Sequence, residues 1–227
     1  MTIQQRNPRR AGRVATASLC AALLAPLPTF AASVVLYTFD DGAGGFVNAA
    51  ESVAANLVAG AWSDADGTLQ DLRGVSGTGR AVAAESWHDI NNFTFNLDVA
   101  SGFRLDLSGF SFEEQGSSGG RGLGPTSWSM SINGQQVASG DAFRGNPGDT
   151  ESGLLALSGL TGNIIVEIFA TGSESSVALP DDNSAGATWR IDTFNFDGAV
   201  SAVPAPAAVV LAAPALLGLA GWRRRRA

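Results

Sequence analysis

The sequence predicts an all-β fold: a two-sheet sandwich, of jelly-roll type, with roughly nine or ten short strands. Three observations predict it. From Ser33 onward the apolar residues recur every second position rather than every 3.6. Asn133-Gly134 stands between two such runs, a strong signal for a two-residue hairpin turn. Glycine-rich connections, Gly116 to Gly124 and Ser139 to Gly153, separate other runs.

Taken along the chain, Val34, Leu36 and Thr38 alternate with Val35, Tyr37 and Phe39. Ala49 to Ala59 is the one stretch whose composition suits a short helix. Phe93, Phe95, Leu97 and Val99 alternate with Asn92, Thr94, Asn96 and Asp98, and Phe103, Leu105 and Leu107 repeat the pattern after Ser101-Gly102. Trp128, Met130 and Ile132 alternate with serines and lead into the Asn133-Gly134 turn. Ile164, Val166 and Ile168 form another apolar face, as do Trp189 and Ile191 and then Phe194 and Phe196. Each pattern is that of a strand with one side in a core.

The flanks carry address information. Residues 1–32 read as a signal peptide: Arg6, Arg9, Arg10 and Arg13 precede an apolar run, Val14 to Leu27, and small residues place cleavage after Ala31 or Ala32. The alternative is an uncleaved anchor helix, for which that run is short of the roughly 20 residues a span requires. Arg9-Arg10 hints at twin-arginine export, but the residues that follow favour the general secretion route. Cys20 is the only cysteine, and Leu19 before it argues against lipidation. With that segment removed, the 33–200 domain has no disulfide, cysteine–zinc site or thiol nucleophile.

At the other end, residues 201–227 hold Val203-Pro204-Ala205-Pro206, an apolar segment ending at Trp222, and Arg223-Arg224-Arg225-Arg226. Val209 to Trp222 with its apolar flank is just long enough to cross a bilayer as a transmembrane helix, with the arginines cytoplasmic and the β domain outside. This tail resembles the PEP-CTERM sorting signal of Gram-negative bacteria. The resemblance implies cleavage near the Pro-x-Pro motif by an exosortase, with the secretion machinery as a further partner, and delivery to the cell envelope, outer surface or extracellular matrix. It also implies a host that makes exopolysaccharide. Ala205 stands where the family usually has Glu. A plain membrane anchor is the alternative reading.

Charge narrows the function classes. All 21 acidic residues lie between Asp40 and Asp197, where six arginines accompany them, so this region carries −15 and the chain has no lysine. Such a surface repels phosphate backbones and excludes nucleic acid as a partner. Trp189-Arg190-Ile191-Asp192-Thr193-Phe194 resembles the closing strand of carbohydrate-binding-module-like jelly rolls, and Leu36 to Asp41 resembles their first strand. That likeness implies a fold rather than an activity.

Candidate chemistry is sparse. Asp40 and Asp41 close the first strand while Asp192 and Asp197 flank the last; if those strands are neighbours, four hard oxygen ligands converge for a structural Ca2+. Asp64-Ala65-Asp66-Gly67 is not a calcium loop, because Trp62 and Arg73 occupy its first and last ligand positions. Trp87, beside the lone His88, and Trp62 are candidates for stacking on sugar rings, whereas Trp128 lies in phase with Met130 and Ile132 and belongs to the core. There is no Gly-x-Ser-x-Gly, His-Glu-x-x-His or phosphate-binding glycine loop, and a single His weakens any triad. Glu113-Glu114 is the adjacent acid pair; as loop residues they are solvated, and in a strand they point to opposite faces. Asn92-Phe93-Thr94 matches a glycosylation sequon by chance.

The expectation is a non-catalytic β-sandwich of the cell surface or biofilm matrix, acting by polymer binding or self-association. A secreted glycan-active enzyme or carbohydrate-binding module is the alternative, and a purely structural surface protein is a third.

Overall fold

The structure is a computed structural model that describes residues 32–64, 69–75, 79–85, 92–116, 125–143, 148–171 and 188–204. The predicted signal peptide, residues 1–32, therefore lies outside the described residues except for Ala32, and so do Ala205, Pro206 and Arg223 to Arg226 of the predicted sorting signal. Among the described residues thirteen strands follow in chain order: β1 (Ala32–Tyr37), β2 (Ser52–Val53), β3 (Leu57–Ala59), β4 (Ser63–Asp64), β5 (Gln70–Arg73), β6 (Arg80–Glu85) and β7 (Asn92–Val99). The second half supplies β8 (Phe103–Gly116), β9 (Ser127–Ile132), β10 (Gln135–Asp141), β11 (Asp149–Leu160), β12 (Gly162–Thr171) and β13 (Thr188–Ala202).

They form two antiparallel sheets, the sandwich that two-residue alternation predicts. One is seven-stranded, in the order β11-β8-β13-β1-β2, with β6 on β13 and β5 on β6. The other is six-stranded, in the order β10-β9-β12-β7-β3, with β4 also on β7. The first and last strands are neighbours, paired from Ala32↔Gly198 to Tyr37↔Phe194.

Two expectations fail locally. Ala49 to Ala59 is not a helix: it holds β2, a turn through Asn56 at φ 66°, and β3. The β-branched Val53 and Val58 and a left-handed Asn favour strand–turn–strand there. Ser139 to Gly153 is not one connection either, because β10 runs to Asp141 and β11 begins at Asp149.

Two bulges let long strands keep apolar residues inside. In β13, Trp189 and Ile191 face the core, then Thr193 adopts φ 48°, the register slips between Asp192 and Asn195, and Phe194 and Phe196 face inward again. An inserted residue restores the facing that strict alternation would lose. In β8 the same switch separates Leu105 and Leu107 from Phe110 and Phe112, all buried.

The core between the sheets is aromatic. Trp62 stacks on Phe95 with centroids 4.8 Å apart and meets Phe39 and Phe194 edge-on at 5.2 and 5.3 Å. Each such pair adds about 0.5–1.5 kcal/mol beyond area burial. Tyr37 lies fully buried among them, its hydroxyl donating to the Gly60 carbonyl at 2.6 Å, and burial pushes its phenol pKa up.

Candidate functional site

The outward face of the six-stranded sheet is where polar chemistry gathers. Because Trp128, Met130 and Ile132 are buried, Ser127, Ser129 and Ser131 point the other way. By the same parity, burial of Ile164, Val166 and Ile168 turns Ile165, Glu167 and Phe169 outward, and burial of Phe93, Phe95 and Leu97 turns out Asn92, Thr94 and Asn96. Register then aligns these residues into rows. One runs Gln136–Ser131–Glu167–Thr94–Ser63 across five strands. The next runs Ser139–Ser129–Phe169–Asn92.

Glu167 is held at the centre. Ser131 Oγ donates to its Oε2 at 3.1 Å and Asn92 Nδ2 to its Oε1 at 3.4 Å, one from each flanking strand. Hydrogen bonds to a carboxylate from two sides fix its rotamer. Two residues along the strand in each direction stand Phe169 and Ile165, the latter 44% exposed. Below them Asp98 accepts from Asn96 and Asn163 at 3.0 and 2.7 Å. The face thus offers an apolar ring, an oriented carboxylate, and hydroxyl and amide groups on a rigid sheet.

The predicted calcium ligands do not form one group. Asp197 is in register with Ser33, about 13 Å at strand rise from Tyr37, where β1 ends, and Asp40 lies three residues beyond that end. It lines a shallow groove of about 420 Å³ on the outer face of the seven-stranded sheet, beside Ser108, Ser111, Ser152 and Leu154. Asp40 and Asp41 serve their own turn. Asp40 Oδ1 accepts from Gly42 N at 2.7 Å, and Asp41 Oδ1 accepts from Gly45 N and Ala43 N at 2.7 and 2.8 Å, which lowers the pKa of Asp41. With Glu51 they border a second open groove of about 480 Å³. Asp192 is 6% exposed and accepts from Val75 N, and burial raises its pKa to about 6. Among the described residues no three His, Cys, Asp or Glu side chains cluster as a metal site.

The stacking candidates divide. Trp62 is 2% exposed, locked in the core by its ring contacts and by Asn48, whose side chain bonds both its backbone N–H and its carbonyl. It has no face to offer a sugar. Trp87 and His88 lie outside the described residues. Trp128 is buried, as its phase requires.

The acidic pair sits in β8 rather than a loop, and its members point to opposite sides. Glu114 faces inward with no exposure, accepting from Trp189 Nε1 and, at 2.6 Å, from Phe143 N. Desolvation outweighs those two donors and raises its pKa to about 7. Glu113 faces outward, opposite Asp192 in register. Hydrolysis of a glycosidic bond needs two accessible carboxylates about 5–9.5 Å apart. Of this pair, Asp192 is buried and its oxygens are occupied by Val75 N and Thr193 Oγ1.

At the predicted sorting motif, Val203 is 47% exposed and its N–H donates to the Gly102 carbonyl at 2.8 Å, so β13 ends by presenting Pro204 at the rim of the sandwich. Among the described residues no helix is long and apolar enough to cross a membrane; Val209 to Trp222 lies outside them.

Sequence reasoning did not single out Ser131, Glu167 or Phe169. The signal was present: an outward Ile-x-Glu-x-Phe triplet opposite Ile164, Val166 and Ile168. What joins it to Ser131 and Asn92 is register between distant strands, which one strand's pattern does not encode.

No protein-family model matches the chain, and no curated protein matches it. Solved structures with an overall likeness include the CBM22-1 xylan-binding domain from Paenibacillus barcinonensis Xyn10C, at 11% identity and TM-score 0.44, covering 78% of this chain and 97% of that one. The CBM22-1–GH10 modules of the Clostridium thermocellum endo-1,4-β-D-xylanase 10B, complexed with xylohexaose, align at 13% identity and TM-score 0.43, over 77% of this chain and 30% of that one. The Agl-KA catalytic domain aligns at 15% identity and TM-score 0.36, over 78% of this chain and 30% of that one.

Proposed function

We propose that this chain is an exported, non-catalytic binder of neutral exopolysaccharide, sorted at its C-terminus by an exosortase and working in the envelope or matrix of a Gram-negative bacterium. The binding surface is the outward face of the six-stranded sheet. The observation that carries the reading is Glu167, oriented by Ser131 and Asn92 and flanked along β12 by Phe169 and Ile165. A pyranose presents an apolar face and a rim of hydroxyls. Phe169 and Ile165 suit the face; Glu167, Thr94, Ser127 and Ser129 suit the rim, while Ser131, 7% exposed, holds Glu167 in place. The charge of −15 on the central region disfavours uronate or sulfate polymers and leaves neutral ones.

The test of binding is depletion of the purified protein by microcrystalline cellulose, insoluble xylan, curdlan and agarose. Saturable retention on at least one is expected, with no release of reducing ends. Retention on none sinks the reading, and reducing ends would favour the hydrolytic alternative. Sorting is tested separately, by intact mass of the protein from its native host with and without the exosortase. Loss of everything after the Pro204–Pro206 region in the normal strain alone supports it; a retained tail in both makes the chain a simple membrane-anchored sandwich.

A further inference from the structure

The groove of about 420 Å³ on the outer face of the seven-stranded sheet is built by register. Leu154 of β11, Gly109 of β8 and Asp197 of β13 lie in one row across three strands. Their neighbours Phe110 and Phe196 are buried, and a Cβ on Gly153 would meet the Phe110 ring at 2.6 Å, so Leu154, Gly109 and Asp197 face outward. Two strand spacings set Leu154 and Asp197 about 9.6 Å apart, with only a glycine between them. Leu154, 93% exposed, is the apolar wall of this slot. The next row, Ser152–Ser111–Asn195, adds two hydroxyls and an amide.

Asp197 is held in place. Asn195 Nδ2 donates to its Oδ1 at 2.9 Å, and Ser33 Oγ donates to Asn195 Oδ1 at 2.5 Å, which fixes the amide. The second oxygen, Oδ2, hangs over the glycine floor, 3.6 Å from where a Cβ on Gly109 would lie. Ser108 also lines the groove, and its buried Oγ has no hydrogen-bond partner among the described residues. A buried hydroxyl in that state calls for a partner. The chemistry repeats that of the six-stranded face, where an Asn and a Ser orient Glu167 beside apolar side chains.

We propose that this groove is a second glycan site, so that one domain holds neutral polysaccharide chains on both of its sheets and cross-links them. The inference rests on the reading of the six-stranded face as a polysaccharide binder. The groove's chemistry selects its occupant. β8 and β13 beneath it are paired on both sides, so recognition falls to side chains rather than to an added strand. One carboxylate is too few ligands for a hard cation, and the charge of −15 on the central region repels anions. A neutral sugar ring fits what remains: its hydroxyls meet Asp197 Oδ2, Ser108 and Ser111, and its apolar face meets Leu154. With leucine in place of an aromatic ring, the groove is the weaker of the two sites.

The experiment is equilibrium dialysis of the full-length chain in detergent against a radiolabelled hexaose of the polymer that retains it: cellohexaose, xylohexaose, laminarihexaose or neoagarohexaose. The parent is expected to bind about two molecules per chain at saturation, and Asp197→Ala and Leu154→Lys about one each, at unchanged melting temperature. The parent should also clump particles of the insoluble polymer, and the two variants should not. A dimer with one site per chain would clump particles too, but its stoichiometry would be about one in the parent. That value, or an undiminished stoichiometry in both groove variants, would overturn the cross-linking proposal and leave the polysaccharide reading standing. No hexaose bound and no retention on any polymer would remove both.

Discussion

Glu114 shows how one residue sets a pH response. Its carboxylate has no exposure, and burial lifts its pKa from 4.5 to about 7 against the pull of Trp189 and Phe143. A folded-state pKa above the unfolded one means the folded protein holds the proton more tightly. That contribution to stability is fully present below pH 4.5 and is lost as pH rises through about 7. Asp192, raised from 3.8 to about 6, acts in the same direction. Melting temperature should therefore fall between pH 5 and pH 8, and Glu114→Gln should flatten that fall, removing up to about 3 kcal/mol of pH-dependent stability. Circular dichroism melts at three pH values decide it; an unchanged slope in the variant contradicts the assignment. None of this was legible in Glu113-Glu114 as letters. Alternation says that neighbours in a strand face opposite ways, but not which one meets Trp189 inside. Trp62 teaches the converse: a Trp outside any alternating run reads as a surface residue until the fold brings Tyr37, Phe39, Phe95 and Phe194 around it.

At the scale of elements, the hairpin between β9 and β10 was the most legible feature. Asn133 and Gly134 adopt φ 51° and 75°, the left-handed pair that a type I′ turn requires, and Gln135 pairs with Ile132 directly. The turn is also tied to β12: Ile165 N donates to Asn133 Oδ1 at 2.9 Å, and Asn133 N donates to the Ile165 carbonyl. Gly134→Ala is expected to cost about 1 kcal/mol through its backbone alone. Asn133→Ala, which also strips the acceptor from Ile165, should cost about 1–2 kcal/mol. Urea midpoints measure both, and a neutral Asn133→Ala would refute the docking role. Other elements were hidden for physical reasons. β2 to β5 are two to four residues long, too short to display a period, β6 is apolar from Ala81 to Ala84 without alternation, and β11 mixes leucines with glycine and serine at no fixed spacing. The bulge at Thr193 was half visible, since the shift from Trp189 and Ile191 to Phe194 and Phe196 breaks parity where the chain must kink.

At the scale of the molecule, uneven charge was readable without any structure, whereas the proposed binding face was not, because it is a product of register across five strands. A surface with six arginines against 21 acids gains nothing from ion pairing with a neutral polymer. Its affinity for such a polymer should change less than about twofold between 50 and 500 mM salt, where a charge-driven contact would weaken steeply. Binding isotherms at the two salt concentrations test this. The most direct test of the proposed binding face is the isotherm on the retaining polysaccharide for Phe169→Ala and Glu167→Gln, with Glu113→Gln on the opposite sheet as the control. Both changes to the six-stranded face are expected to weaken binding about tenfold or more at unchanged melting temperature, while the control binds as the parent does. Parental affinity in both face variants would contradict it and move the site elsewhere on the sandwich.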